Sequence, residues 1–268
     1  MRPTAVFGAA DNIAPSTYQT PSLVVRDKRV LGLEPRWFYL AIGLLTAPIL
    51  TFTPLLQRMG WFLTSLFHET GHVVVAWFFG HPAVPAIRLD GHAAAVHGEQ
   101  QFFLCILVLG SLGYLVYQFR QHKKLRVVFG AIALLYPLFA FTGAKEVLHL
   151  VGGHVGELTI AAVFFTRAIS GGFTHSSAER GLYATVAWYL YGKNLYLCAG
   201  LAGSEEMRAW YRSSGSFGLK NDYMRLGDLM GWSLSNVGAL MLLVSLTALP
   251  IAYKVTVTRC NSRNSCHG

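Results

Sequence analysis

Residues 37–57 run for 21 positions without a charged side chain, and six further stretches of 17 to 21 positions (61–80, 102–119, 127–143, 147–166, 182–202 and 234–253) are mostly apolar. A helix of about 20 residues crosses the ~30 Å hydrocarbon core of a bilayer. With 53% hydrophobic and only 13% charged residues, a chain of 268 residues cannot hide that much apolar surface in one soluble core. The expected fold class is therefore all-α membrane: a polytopic bundle of six or seven transmembrane helices, integral to the bilayer and multi-pass. Trp37, Trp61 and Tyr253 stand at ends of these runs, as interfacial anchors do.

The charges fall outside the runs. A formal net charge of +9 would suit nucleic acid, but the basic residues cluster beside the apolar stretches. The expected partner is the lipid bilayer, through positive-inside topology and anionic lipid, and not nucleic acid. Residues 1–36 carry Pro, Ser, Asp and Arg without an apolar h-region. They read as a disordered basic tail rather than a cleavable signal, followed by a membrane domain over 37–255 and a short tail over 256–268. Two basic segments, Arg26 to Arg36 and Arg120 to Arg126, both read as cytoplasmic, yet three full spans between them would place them on opposite sides, so one segment is re-entrant or one cue misleads. Cys105 and Cys198 read as small hydrophobes inside spans, while Cys260 and Cys266 have no finger spacing and carry only a weak signal for a disulfide or metal.

Inside the second run stands His68-Glu69-Thr70-Gly71-His72. Two imidazoles four positions apart share a helix face, with Cβ atoms about 5–6 Å apart, so both can bind one Zn²⁺. Glu69 then lies beside the ion without binding it, where a carboxylate takes a proton from water and passes it to a leaving amine. With 10 His, chance matches to this pattern in such a composition number about 0.01. A Glu and two His in a hydrocarbon-spanning segment are costly and by default functional.

Catalytic zinc takes three protein ligands, so a third must come from elsewhere. The run 147–166 contains His149-Leu-Val-Gly-Gly-His154-Val-Gly-Glu157. His154 and Glu157 share a face, and Gly152, Gly153 and Gly156 clear space for another helix. Either His154 or Glu157 binds directly with the other orienting it, or both bind; His154 ranks slightly ahead. His149, off that face, ranks lower, and Asp90 reads as a turn residue first. His92, His97, His122 and His175 read as solvated loop imidazoles.

Between the motif and the third run, short apolar stretches flank Asp90-Gly91, a hairpin turn signal. A β-hairpin is expected there, its first strand confined to an edge by Pro82 and Pro85 and open to strand addition by an extended peptide. Residues 203–233 are polar with balanced charge and read as a surface loop with a short amphipathic helix near Glu205–Tyr211, without a catalytic constellation.

Over about residues 61–96, the motif in a span, the Gly80 boundary and the hairpin resemble the site-2 protease type of intramembrane zinc metallopeptidase, in its compact bacterial form. The resemblance implies that His68 and His72 bind zinc, that Glu69 is the general base, and that the substrate is a membrane protein cut in or near a transmembrane segment. The family's third ligand is typically an aspartate in an Asp-Gly pair at the start of a later span. This sequence departs there: the fifth and sixth runs hold no Asp, and His154 and Glu157, 82 and 85 positions after His72, stand at comparable separation. The alternative expectation is a non-proteolytic membrane metalloprotein, either a divalent-metal transporter or a pseudoprotease scaffold. A di-metal oxidoreductase lacks the carboxylates it would need.

Overall fold

The computed structural model describes residues 32–88, 92–214 and 220–263, with side chains to residue 258. Asp90 and its Gly91, most of the basic tail, the side chain of Cys260, and Cys266 lie outside the described residues.

Proline places the first boundaries. Helix α1 (Pro35–Thr46) starts with Pro35, whose fixed φ suits a first helical turn and which has no N–H to leave unpaired. Pro48 ends it, a single turn follows (α2, Ile49–Phe52), and Thr53 turns extended before Pro54 opens α3 (Pro54–Phe78). The run 37–57 is thus not one uninterrupted helix. The break expected at residues 58–60 lies instead at 47–53, and α3 absorbs Gln57 to Gly60 into 25 helical residues.

Gly80, at φ +80°, ends α3 with a reversal: its N–H bonds Trp77 O and the N–H of His81 bonds Ala76 O. A Cβ there would sit 2.5 Å from Cys105 Sγ. The chain then forms the expected hairpin, β1 (Ala83–Ile87) antiparallel to β2 (Ala93–His97), with Pro85 opposite Ala95. Trp77 Nε1 donates to Ala83 O at 2.8 Å and pins the hairpin to α3.

Six helices follow: α4 (Phe102–Gln118), α5 (Lys123–Ala140), α6 (Ala144–Ser170), α7 (Ser177–Gly203), α8 (Glu205–Ser213) and α9 (Asp222–Met230), before the last, α10 (Leu234–Arg263). Ser176 and Ser204 cap α7 and α8 by accepting from Glu179 N and Met207 N. Helix α6 is the centre, packed against α3, α7, α10, α1 and α9. One core lies among α1, α6, α7 and α10 around Leu158, Ala161, Phe165 and Leu190; a second joins α6, α7, α9 and α10 around Leu150, Leu201, Tyr223 and Met241. A third, with Phe79, Cys105, Leu112 and Tyr136, holds the α4–α5 hairpin against the end of α3.

Among the described residues, three segments are long and apolar enough to cross a membrane: Pro35–Phe52, Ala144–Ser170 and Leu234–Thr258. Helix α4 is apolar but shorter. Large apolar side chains cover the outer surface, with Leu45 at 75% and Phe52 and Leu134 at 81% exposure, which suits contact with lipid tails better than with water.

Candidate metal centre

Helices α3 and α6 cross at glycines. A Cβ on Gly71 would run into Gly152 O, and one on Gly156 would lie 2.7 Å from Gly71 Cα. Side-chain bulk is absent where the two polar sets face each other, as the spacing of Gly152, Gly153 and Gly156 predicted. A Cβ on Gly153 would stand 2.5 Å from His72 Nε2 and 2.6 Å from His68 Nε2, so the imidazole tips occupy the space that this glycine vacates.

His68, His72, His154 and Glu157 therefore converge. His68 Nδ1 lies 2.8 Å from Glu157 Oε1, and the His68 and His154 rings are 4.6 Å apart. His154 stacks on Tyr223 at 4.2 Å, and its Nδ1 is 3.3 Å from the Asn194 side-chain amide, which also reaches Glu157 Oε2 at 3.4 Å. His149 contributes its backbone: His72 Nδ1 donates to His149 O at 2.7 Å.

Asp222, at the first turn of α9, corrects the reading of residues 203–233 as free of chemistry. Its Oδ2 lies 3.0 Å from both His68 Nε2 and His72 Nε2, which are 3.1 Å from each other. The signal was faint: one acidic residue opens a nine-residue helix whose inward stripe is Tyr223, Leu226 and Gly227. That stripe docks α9 on α6 and α10 and turns its N-terminus toward the histidines.

Proton bookkeeping shows what the triangle is suited to hold. His72 Nδ1 faces a carbonyl and His68 Nδ1 faces a carboxylate, so in each neutral ring the proton sits on Nδ1 and Nε2 presents a lone pair. In that tautomer the two Nε2 lone pairs and the Asp222 carboxylate oxygen meet within 3.0–3.1 Å of one another, three ligand atoms around one point. Such an arrangement calls for a cation. In a tetrahedron with bonds of about 2.0–2.2 Å, neighbouring ligand atoms are about 3.3–3.6 Å apart, so the triangle need open by only a few tenths of an ångström. The described residues offer two overlapping metal-capable groups, His68 with His72 and Asp222, and His68 with His154 and Glu157.

Glu69, buried, sits beside the triangle on α3, and the backbone of Ala95 interacts with its carboxylate. A cavity of about 450 Å³ opens over His68, Glu69 and His72, walled by Ala93, Ala94 and Ala95. His97 lines it from β2, its ring 5.3 Å from that of His149; it is exposed as expected but stands on a strand rather than in a loop. The edge that borders the site belongs to β2, not to the proline-bearing β1. Hydrogen bonds Gly98 N to Pro82 O and Arg88 N to His92 O set the ladder parity, so Ala93, Ala95 and His97 aim their peptide groups away from β1.

No protein-family model, curated protein or solved structure matches the chain.

Proposed function

We propose that the protein is a zinc-dependent intramembrane endopeptidase that hydrolyses peptide bonds in or near transmembrane segments of other membrane proteins. The observation that carries this reading is the triangle of His68 Nε2, His72 Nε2 and Asp222 Oδ2, three lone-pair atoms 3.0–3.1 Å apart, with Glu69 next to it in sequence and in space. Asp222 is taken as the third ligand, Glu157 as the group that orients His68, and His154 as a wall of the site.

Helices α3 and α7 fall short of a purely apolar span by composition because they carry this polar machinery, yet both pack on α6, itself apolar and long enough to cross a membrane. They are read as membrane-embedded with it, which together with the α4–α5 hairpin brings the count to the six or seven spans expected. The hydrogen bond to His149 O and the contact with Glu157 hold the two imidazoles with Nε2 facing inward. Zn²⁺ held by His68, His72 and Asp222 would supply Lewis acidity for a carbonyl and a water. Glu69 takes the proton of that water and delivers it to the departing amine. An extended substrate pairs with the outward peptide group of Ala93 and the outward carbonyl of Ala95, above Glu69. A helical substrate must first unwind, since its carbonyls are engaged in its own ladder. Helix-breaking residues in the substrate should therefore raise cleavage.

The test has two parts. Purified wild type should carry close to one zinc per chain, with Asp222→Ala, His68→Ala and His72→Ala losing it and His154→Ala retaining most. In proteoliposomes holding a tagged single-span reporter with a central Pro-Gly, Glu69→Gln should keep the metal and cut at least ~100-fold more slowly. Full cleavage by Glu69→Gln would refute the mechanism. The overlap of the two donor groups at His68 favours a second reading, a transit site for divalent ions. Zinc flux into vesicles without any peptide product would select it.

A further inference from the structure

Lys193 precedes Asn194, whose amide reaches His154 and Glu157 and whose Oδ1 accepts from Ser245 Oγ at 2.7 Å. Glu157 and Ser245 lie near the middle of the two segments Ala144–Ser170 and Leu234–Thr258 that are able to cross a membrane. Lys193 is therefore at mid-depth. The C-terminal end of α7, Gly203, is ten residues on, or about 15 Å. A lysine stem of roughly 6 Å cannot carry its ammonium that far by snorkelling.

The side chain is exposed on the protein surface. Its ammonium lies 5.8 Å from the Tyr189 ring one turn earlier and feels the charge of Glu157, but among the described residues it forms no hydrogen bond or ion pair. Two other basic groups of the bundle are satisfied: Arg167 reaches Tyr183 Oη, and Arg180 bonds the carbonyls of Ala168 and Ile169. A lone cation at this depth is costly and by default functional.

Its position says what it serves. Helices α3 and α7 flank α6 with few contacts of their own. Tyr189 spans the gap, its hydroxyl packed at Gly60 of α3. Leu197, one turn beyond Lys193 on the same face, lines the metal-site cavity. Lys193 thus stands between the Tyr189 contact with α3 and the cavity.

We propose that Lys193 is a specificity determinant that pairs with a carboxylate side chain carried inside an apolar helical segment entering between α3 and α7. The required depth argues for a carboxylate within the segment rather than a lipid headgroup. This rests on the membrane-embedded reading of α7 given above.

The experiment uses full-length, zinc-loaded Glu69→Gln protein in phosphatidylcholine vesicles. The probes are labelled Leu/Ala helices of about 22 residues with one central Glu, Gln or Lys, and binding is read by energy transfer. The Glu peptide should bind about tenfold more tightly than its Gln twin; Lys193→Met should erase that difference, and Lys193→Glu should pass the preference to the Lys peptide. Equal binding of the Glu and Gln peptides to the parent, or a preference that survives Lys193→Met, would overturn the proposal. Lys193-dependent enrichment of phosphatidylglycerol without peptide discrimination would also overturn it, in favour of a headgroup. Because binding is scored without cleavage, a Glu preference beside an inactive wild-type enzyme would sink the peptidase reading alone.

Discussion

The α3–α6 crossing and the α4–α5 hairpin are built from the same residue classes to opposite ends. Where α3 meets α6, glycines bring two backbones together and the space between them holds His68, His72, His154 and Glu157. In α4–α5 the contact is made by Leu112, Phe129, Tyr136 and Ala140, and the glycines at 110, 113 and 130 have nothing within 4 Å of where a Cβ would stand. Glycine is a spacer around chemistry in one region and a bystander in the other. Hydropathy ranks the two regions misleadingly: α4 reads as more lipid-like than α3, because the His and Glu side chains of the candidate site lower the apolar score of the helix that bears them.

The sharpest way to break this contrast is an added side chain in each region. Gly153→Val should abolish zinc binding, since even its Cβ would stand 2.5 Å from His72 Nε2, whereas Gly113→Ala should leave zinc content unchanged and thermal stability equal or slightly higher. Equal effects would mean that the glycines of α6 do not make room for the ligands. A smaller effect is expected from Glu157→Gln: zinc affinity should fall about 10–100-fold by competition titration, with the ion still bound, as for a residue that orients a ligand rather than supplying one. Smallest is Gln100→Ala, which tests the tie between the regions. Gln100 Nε2 donates to Phe79 O and Ala140 O while its Oε1 accepts from Lys145. Its loss should cost roughly 1–3 kcal/mol of stability in a denaturation assay and leave zinc affinity intact.

Legibility followed the range of the interactions. The His68–His72 pair, the hairpin after Gly80 and the glycine clearance on α6 are set by spacing within a few turns, and the sequence carries them openly. The boundary at residues 47–53 was equally local, but the charge-free run outweighed Pro48 and Pro54 in the reading. Asp222 was hidden for a different reason. Its place depends on Tyr223 and Leu226 docking α9 into a core shared with α6, α7 and α10, a contact among segments far apart in the chain. Nothing within ten residues of Asp222 announces a ligand. The role of β2's edge was hidden likewise, because ladder parity is fixed by which peptide groups pair and not by where prolines fall.

The 150 positions between His72 and Asp222 give the molecule a built-in order of events during its own synthesis. While the ribosome is still producing α4 to α8, the helix α3 with its two imidazoles and Glu69 already exists without its partner Asp222. Asp222 reaches the two imidazoles only when α9 arrives and settles against α6, so the three-atom triangle is among the last features of the fold to be completed.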